Sequence, residues 1–183
     1  MTKGFLVLED GSVFEGVRIG APGDVWGEVV FTTSMTGYQE ALSDPSYRGQ
    51  IVVMAYPLIG NYGFNQEAWE APGPHVRGFV VREACEAPSH YLSTEPLDHF
   101  LAGHTVAGLA EVDTRRLVRH LRVHGLKRGI IAERRDEAAL ERARGLPALD
   151  EQDLVGEVSR TEPVMLPGRG PRVALLDCGV KAG

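Results

Sequence analysis

Two cysteines in 183 residues, Cys85 and Cys178, are too few and too far apart for a disulfide framework or a zinc-binding CxxC pattern. That scarcity points to a reducing compartment. Long apolar runs are also missing. The opening MTKGFLVLEDG reaches Glu9 and Asp10 after only five mostly apolar residues, too few for a signal segment or a membrane span. The expectation is a cytoplasmic protein with no membrane partner. Positive charge is in deficit, with 19 Lys and Arg against 25 Asp and Glu and a net charge of -6. A surface of that sign does not attract nucleic acid as a whole, although a local basic patch could still do so. The sequence contains no P-loop, no Gly-x-Gly-x-x-Gly after a strand and no Gly-x-Ser-x-Gly, so it presents no nucleotide site of its own.

What is present describes a globular chain. Hydrophobic residues make up 43% and charged residues 24%, enough for one good core and the start of another without disulfides or a structural metal. Glu9-Asp10-Gly11 separates Phe5–Leu8 from Ser12–Ile19, and an Asp-Gly turn between such segments predicts a hairpin. Further strands are expected around Val29–Phe31, over Gln50–Tyr56 as a central strand, and at Gly78–Arg82 and Thr105–Leu109. Helices are expected near Leu97–Gly103, from an Asp113 N-cap to Gly125 with Leu117, Val118 and Leu121 inward, and over Glu133–Gly145. The order is mostly β, then β and α mixed.

The composition changes late. TEPVMLPGRGP, Thr161 to Pro171, holds three prolines and two glycines and reads as a linker. After it, RVALLD, Arg172 to Asp177, resembles the first buried strand of a parallel α/β sheet. A lone buried strand would leave its backbone groups unpaired, so the sequence is expected to stop just inside a second domain.

Four constellations carry possible chemistry. Cys178, between a strand and Gly179, could be a nucleophile at a strand-to-helix turn, but the simpler reading is a small buried hydrophobe. His120 and His124 have the i,i+4 spacing of a shared metal, yet the arginines around them repel a cation, so two solvated histidines and no metal are expected. Arg115, Arg116, Arg119, Arg122, Lys127 and Arg128 form a basic cluster in an acidic protein. A solvated helix face explains it first, a protein interface second, and RNA third because no aromatics are interleaved for base stacking. Finally, TSMTGYQEALSDPSYRGQ, Thr33 to Gln50, is rich in hydroxyls and turn-formers. It could hold a small zwitterion through Ser43, Ser46 and Tyr47, but the simpler reading is an Asx- or Ser-capped turn joining the short helix GYQEAL to a strand.

The longer run FTTSMTGYQEALSDPSYRGQIVVMAYPLIGNYG, Phe31 to Gly63, resembles the hallmark segment of the small chain of glutamine-dependent carbamoyl phosphate synthetase. LVLEDGSVFEG, GEVVF, EVDTRRLVRHLR and VALLDCGVKAG resemble the same family in the same order, so the likeness covers essentially the whole chain. It implies an α/β fold: a mixed β/β/α swivelling-type domain with antiparallel hairpins and helices over residues 1–160, a linker over 161–171, and the first strand of a truncated glutamine amidotransferase domain over 172–183. In that family a cysteine activated by histidine hydrolyses glutamine. Ammonia then passes to the large chain, which uses bicarbonate, ATP and Mg to make carbamoyl phosphate for arginine and pyrimidine synthesis. The partners implied are the large chain and L-glutamine, with no cofactor on this chain. Cys178 does not match the family nucleophile, so no catalytic residue is expected here, and of the family's glutamine contacts only Ser46 is carried over. Thr33 and Ser34 lie in the run without an assigned role. The rival expectation is a free-standing protein-interaction module without catalysis.

Overall fold

The computed structural model describes residues 2–65 and 68–181. The hairpin forms where its turn predicts it. β1 (Lys3–Leu8) and β2 (Val13–Gly20) pair antiparallel, Lys3 facing Val17 at one end and Val7 facing Val13 at the other. Gly11 supplies the positive φ of 89° at the tip, and the Asp10 carboxylate accepts the Ser12 N–H at 2.9 Å.

β3 (Val25–Thr32) runs parallel to β4 (Gln50–Met54), which demands a crossover, and α1 (Tyr38–Ser43) provides it. β5 (Leu58–Ile59) pairs with β7 (Glu83–Ala84) in a small separate ladder. β6 (Gly78–Val80), α2 (Leu97–Gly103), β8 (Ala107–Ala110), α3 (Thr114–His124), β9 (Lys127–Ala132), α4 (Glu137–Arg144) and α5 (Leu154–Val158) complete the order. β4, β6 and β8 continue the parallel pairing begun by β3. The α/β class expected from the sequence holds.

The sheet does not stay open. Its strand order is β1-β2-β8-β6-β4-β3-β9, and β9 closes a barrel by pairing antiparallel with both β1 and β3. Closure satisfies edges that would otherwise be exposed to pairing with other chains. Alternation along the strands then sorts side chains into separate cores. Leu6, Leu8, Val29, Ile51, Val53 and Leu109 pack with Leu117, Val118 and Leu121 of α3. Their strand neighbours Val30, Val52 and Phe79 pack with Tyr38, Leu42, Leu97 and Phe100 from α1 and α2. Val7 and Ile130 meet Ala139 and Ala143 of α4. Each fully buried aliphatic side chain contributes roughly 1.5–3 kcal/mol, so both faces of the barrel wall are held by helices.

Two local expectations are corrected. The second helix starts at Glu137, not Glu133, because Asp136 caps it by accepting the Ala139 N–H at 3.0 Å. The strand expected over Arg172–Asp177 is not formed. Residues 160–181 contain neither helix nor strand, and Val173 and Leu176 are 87% and 89% exposed. An apolar run becomes a strand only beside a paired edge, and among the described residues the barrel offers none there. No helix among the described residues is long and apolar enough to cross a membrane.

Candidate functional site

The segment between β3 and β4 is held by an almost complete set of internal bonds. Gly37 has φ 81° and caps α1, and its N–H and that of Tyr38 both donate to the Tyr62 hydroxyl, at 2.9 and 3.2 Å. Tyr38 stacks on Tyr62 at 4.1 Å and donates its own hydroxyl to the Gly63 carbonyl at 2.8 Å. Burial pushes both phenol groups above their ordinary range, so both stay protonated, Tyr38 donating and Tyr62 accepting. Gln39 is fully buried, and its amide both donates to the Asn65 carbonyl and accepts the Asn65 N–H. The Ser43 hydroxyl donates to the Gln39 carbonyl at 2.9 Å and accepts the Glu70 N–H at 3.0 Å. Most loop polar groups that cannot reach water are thereby paired, Glu40 Oε2 being buried without a hydrogen-bond partner among the described residues.

Exposed hydroxyls remain at Thr33, Ser34 and Thr36 before the helix and at Ser46 after it, and Ser46 is the one on a capped turn. Asp44, Pro45, Ser46 and Tyr47 form a single 3-10 turn in which Asp44 accepts the Ser46 N–H at 2.8 Å and Pro45 fixes the first φ. Asp44 and Pro45 are buried, whereas Ser46 is exposed. The Asp44 carboxylate also meets the Lys181 ammonium at 2.5 Å. Burial works against its charge, but hydrogen bonds from Lys181 and from the Ser46 N–H and hydroxyl outweigh that and hold its pKa below 3.8. Lys181 arrives on a short turn capped by Asp177, which accepts the Gly179 and Val180 N–H groups at 2.8 and 2.9 Å. Behind the turn, Arg48 pairs with Glu157 of α5 at 2.6 Å. Its neighbour Gly49, at φ 83°, takes a conformation that lets the side chains of Leu149 and Leu154 approach its backbone.

The result is one exposed hydroxyl on a rigid turn, beside an ammonium and a carboxylate. Such a group recognises a polar or zwitterionic molecule by hydrogen bonds and charge. The sequence singled out Ser46 but gave no hint of Asp44 meeting Lys181, because those residues lie at opposite ends of the chain. Gln39 was likewise invisible: a glutamine in a short helix reads as solvated until the fold buries it.

The other candidates separate. Cys178 is exposed, not the buried small hydrophobe its setting suggested. His120 lies 2.7 Å from Asp10 at the hairpin tip, with the His124 ring 4.7 Å away. Among the described residues no group of three or more His, Cys, Asp or Glu is placed to hold a metal ion. The basic cluster divides in two. Arg116 lies over the Phe14 ring at 4.4 Å and donates to the Val13 carbonyl, Lys127 donates to the last carbonyl of α3, and Arg128 pairs with Glu9 at 2.6 Å. Arg115, Arg119 and Arg122 are exposed, with no carboxylate in ion-pair range among the described residues.

Against known proteins, a family described as the carbamoyl-phosphate synthase small chain, CPSase domain, matches residues 6–131. A carbamoyl phosphate synthase small chain of Caldanaerobacter subterraneus is 49% identical over 181 residues, which cover 99% of this chain and 49% of that protein. One from Syntrophotalea carbinolica is 52% identical over 163 residues, covering 88% and 43%. A pyrimidine-specific small chain of Halalkalibacterium halodurans is 46% identical over 178 residues, covering 96% and 49%. The chain thus spans about half the length of the curated relatives it matches.

Proposed function

The chain belongs to the carbamoyl-phosphate synthase small-chain family, and from that premise we propose that it is the N-terminal domain of a glutamine-hydrolysing small subunit. Its tasks are to dock a large chain and to complete a glutamine pocket with the Thr33–Gln50 segment. The glutaminase chemistry belongs to an amidotransferase domain that begins near residue 172, beyond a linker over 161–171. The large chain, with ATP and Mg, turns the released ammonia and bicarbonate into carbamoyl phosphate for arginine and pyrimidine synthesis.

One observation supports the glutamine part most directly: Ser46 stands exposed on the Asp44-capped turn, and the Asp44–Lys181 contact joins that turn to the segment past the linker. A pocket between two domains needs a rigid contribution from each, and here the turn is fixed before any ligand arrives. The free amino acid carries a carboxylate and an ammonium, which the Ser46 hydroxyl and the neighbouring charges match in kind. Ser46 positions and does not react.

The test is Ser46→Ala in the full-length small chain bound to its large chain. Loss of one hydroxyl hydrogen bond predicts a roughly 3- to 10-fold rise in the KM for glutamine. Carbamoyl phosphate synthesis from added ammonia stays unchanged. An unaltered glutamine KM removes Ser46 from the pocket. Separately, one hydroxyl falls far short of the roughly 4 kcal/mol that even millimolar affinity requires, so residues 1–183 alone should give no micromolar glutamine binding by calorimetry.

A further inference from the structure

α3 carries its first-turn charges against its own interest, whereas Arg122 and His124 lie in the last turn, where the dipole favours cations. Its first turn has no acidic residue and instead holds Arg115 and Arg116, facing the positive end of the helix dipole. Arg115 and Arg119 are spaced i,i+4, and Arg119 and Arg122 i,i+3, so like charges stack along one outer stripe. Arg116 offsets its cost by contacts with Phe14 and Val13, but Arg115, Arg119 and Arg122 make no ion pair among the described residues. An apolar side chain shares this face in the open, Val123 at 75% exposure. A groove of about 510 Å³ runs along this face, lined by Arg115, Arg119, His120, Val123 and His124, with the Asp113 carboxylate at its end already accepting the Arg116 N–H. His120 is pinned to Asp10 of the hairpin at 2.7 Å, so the groove wall is fixed to the barrel.

We propose that the outer face of α3 is a docking surface for an acidic segment of a protein partner, anchored on Arg115, Arg119 and Arg122. On the reading above, which this inference rests on, that partner is the large chain. Charge complementarity names the occupant. Exposed guanidiniums beside an exposed valine match the make-up of interface cores, where arginine and apolar side chains are enriched. A nucleic acid fits worse, because the groove lining holds no Phe, Tyr or Trp on which bases could stack and the net charge of -6 repels a polyanion at long range. Discrete carboxylates on a folded partner meet the stripe at short range without that penalty.

The test uses the full-length small chain and its large chain, purified apart, with association followed by interferometry at low and high salt. The R115E/R119E/R122E variant is expected to bind the large chain at least ~10-fold more weakly, with a flatter salt dependence. The R115K/R119K/R122K variant should stay within a few-fold of the parent, since charge is kept. Thermal unfolding of both variants shows that the fold is intact, and Val123→Asp supplies a second, single-site probe of the same face. Unchanged binding by the glutamate variant overturns the docking surface while leaving the family reading intact. Failure of the parent chain itself to bind the large chain overturns both. Arginine-dependent self-association, or arginine-dependent binding of a single-stranded RNA, overturns this proposal in favour of a second copy or of nucleic acid.

Discussion

The Thr33–Gln50 segment and α3 flank the same barrel and are both rich in polar side chains, but they dispose of them oppositely. Around the first, Gln39, Ser43, Asp44, Tyr38 and Tyr62 exchange hydrogen bonds among themselves and with backbone, leaving Ser46 exposed. On the second, three guanidiniums have no carboxylate in ion-pair range among the described residues. Near-complete internal pairing gives a rigid turn that presents Ser46, suited to a small ligand whose position must be fixed. Incomplete pairing gives a broad charged stripe, suited to a partner that brings its own counter-charges.

The difference is broken most severely at Gln39. Gln39→Met keeps the volume but removes both hydrogen bonds to Asn65 from a fully buried site. The expected loss is about 2–3 kcal/mol, or roughly 5–10 °C in Tm for a chain of this size. A Tm within a degree of the parent would show that the segment does not depend on this amide. Asp44→Ala comes next. It removes the cap of the Pro45–Tyr47 turn and the Lys181 contact, for about 1–2 kcal/mol, and it should raise the glutamine KM of the full-length enzyme by loosening Ser46. A stability loss without any KM change would separate the turn from the pocket.

How much of this could be read from the sequence follows the range of the forces involved. The Asp10-Gly11 hairpin, the α3 cap at Asp113 and the crossover from β3 through a short helix to β4 are fixed within a few residues, and pattern reveals them. β9 escaped. Its opening Lys127-Arg128-Gly129 reads as the end of a basic cluster, and only pairing with β1 and β3 makes Lys127–Ala132 a strand. Barrel closure escaped with it, because alternation sets which way a side chain points and not which strands meet. At the candidate site, Ser46 was nominated by the family likeness alone, whereas the Asp44–Lys181 contact needed the fold.

A smaller effect sharpens the comparison through pH. His75 lies under the first region, its backbone N–H donating to the Leu42 carbonyl and its Nδ1 buried without a hydrogen-bond partner among the described residues. Burial and then the Arg48 charge hold its pKa below the ordinary 6.5, with Asp44 opposing. As pH falls through 6.5 the unfolded chain takes a proton before the folded one does, so stability is full above 6.5 and declines below it until His75 itself protonates. The slope is at most about 1.4 kcal/mol per pH unit. Denaturant midpoints measured across this range should show it in the parent and not in His75→Gln. Asp44 acts in a separate window, its contribution fading only as pH drops below 3.8.

The smallest shift in stability tells most about α3, because it runs opposite to function. Arg115→Glu places an acidic side chain in the first turn, where the dipole favours it, and sets it four residues before Arg119 as an opposite charge. The chain should therefore become more stable, by about 0.3–1 kcal/mol. If the arginine stripe were merely a solvated helix face, this gain would come without cost. If the stripe meets an acidic partner, the same substitution must weaken association while raising Tm, since a group retained against local stability is retained for a contact made elsewhere. Paired measurements of Tm and of large-chain affinity on this one variant decide between the two: a higher Tm with unchanged affinity assigns Arg115 to solvent, and a higher Tm with weaker affinity assigns it to the interface.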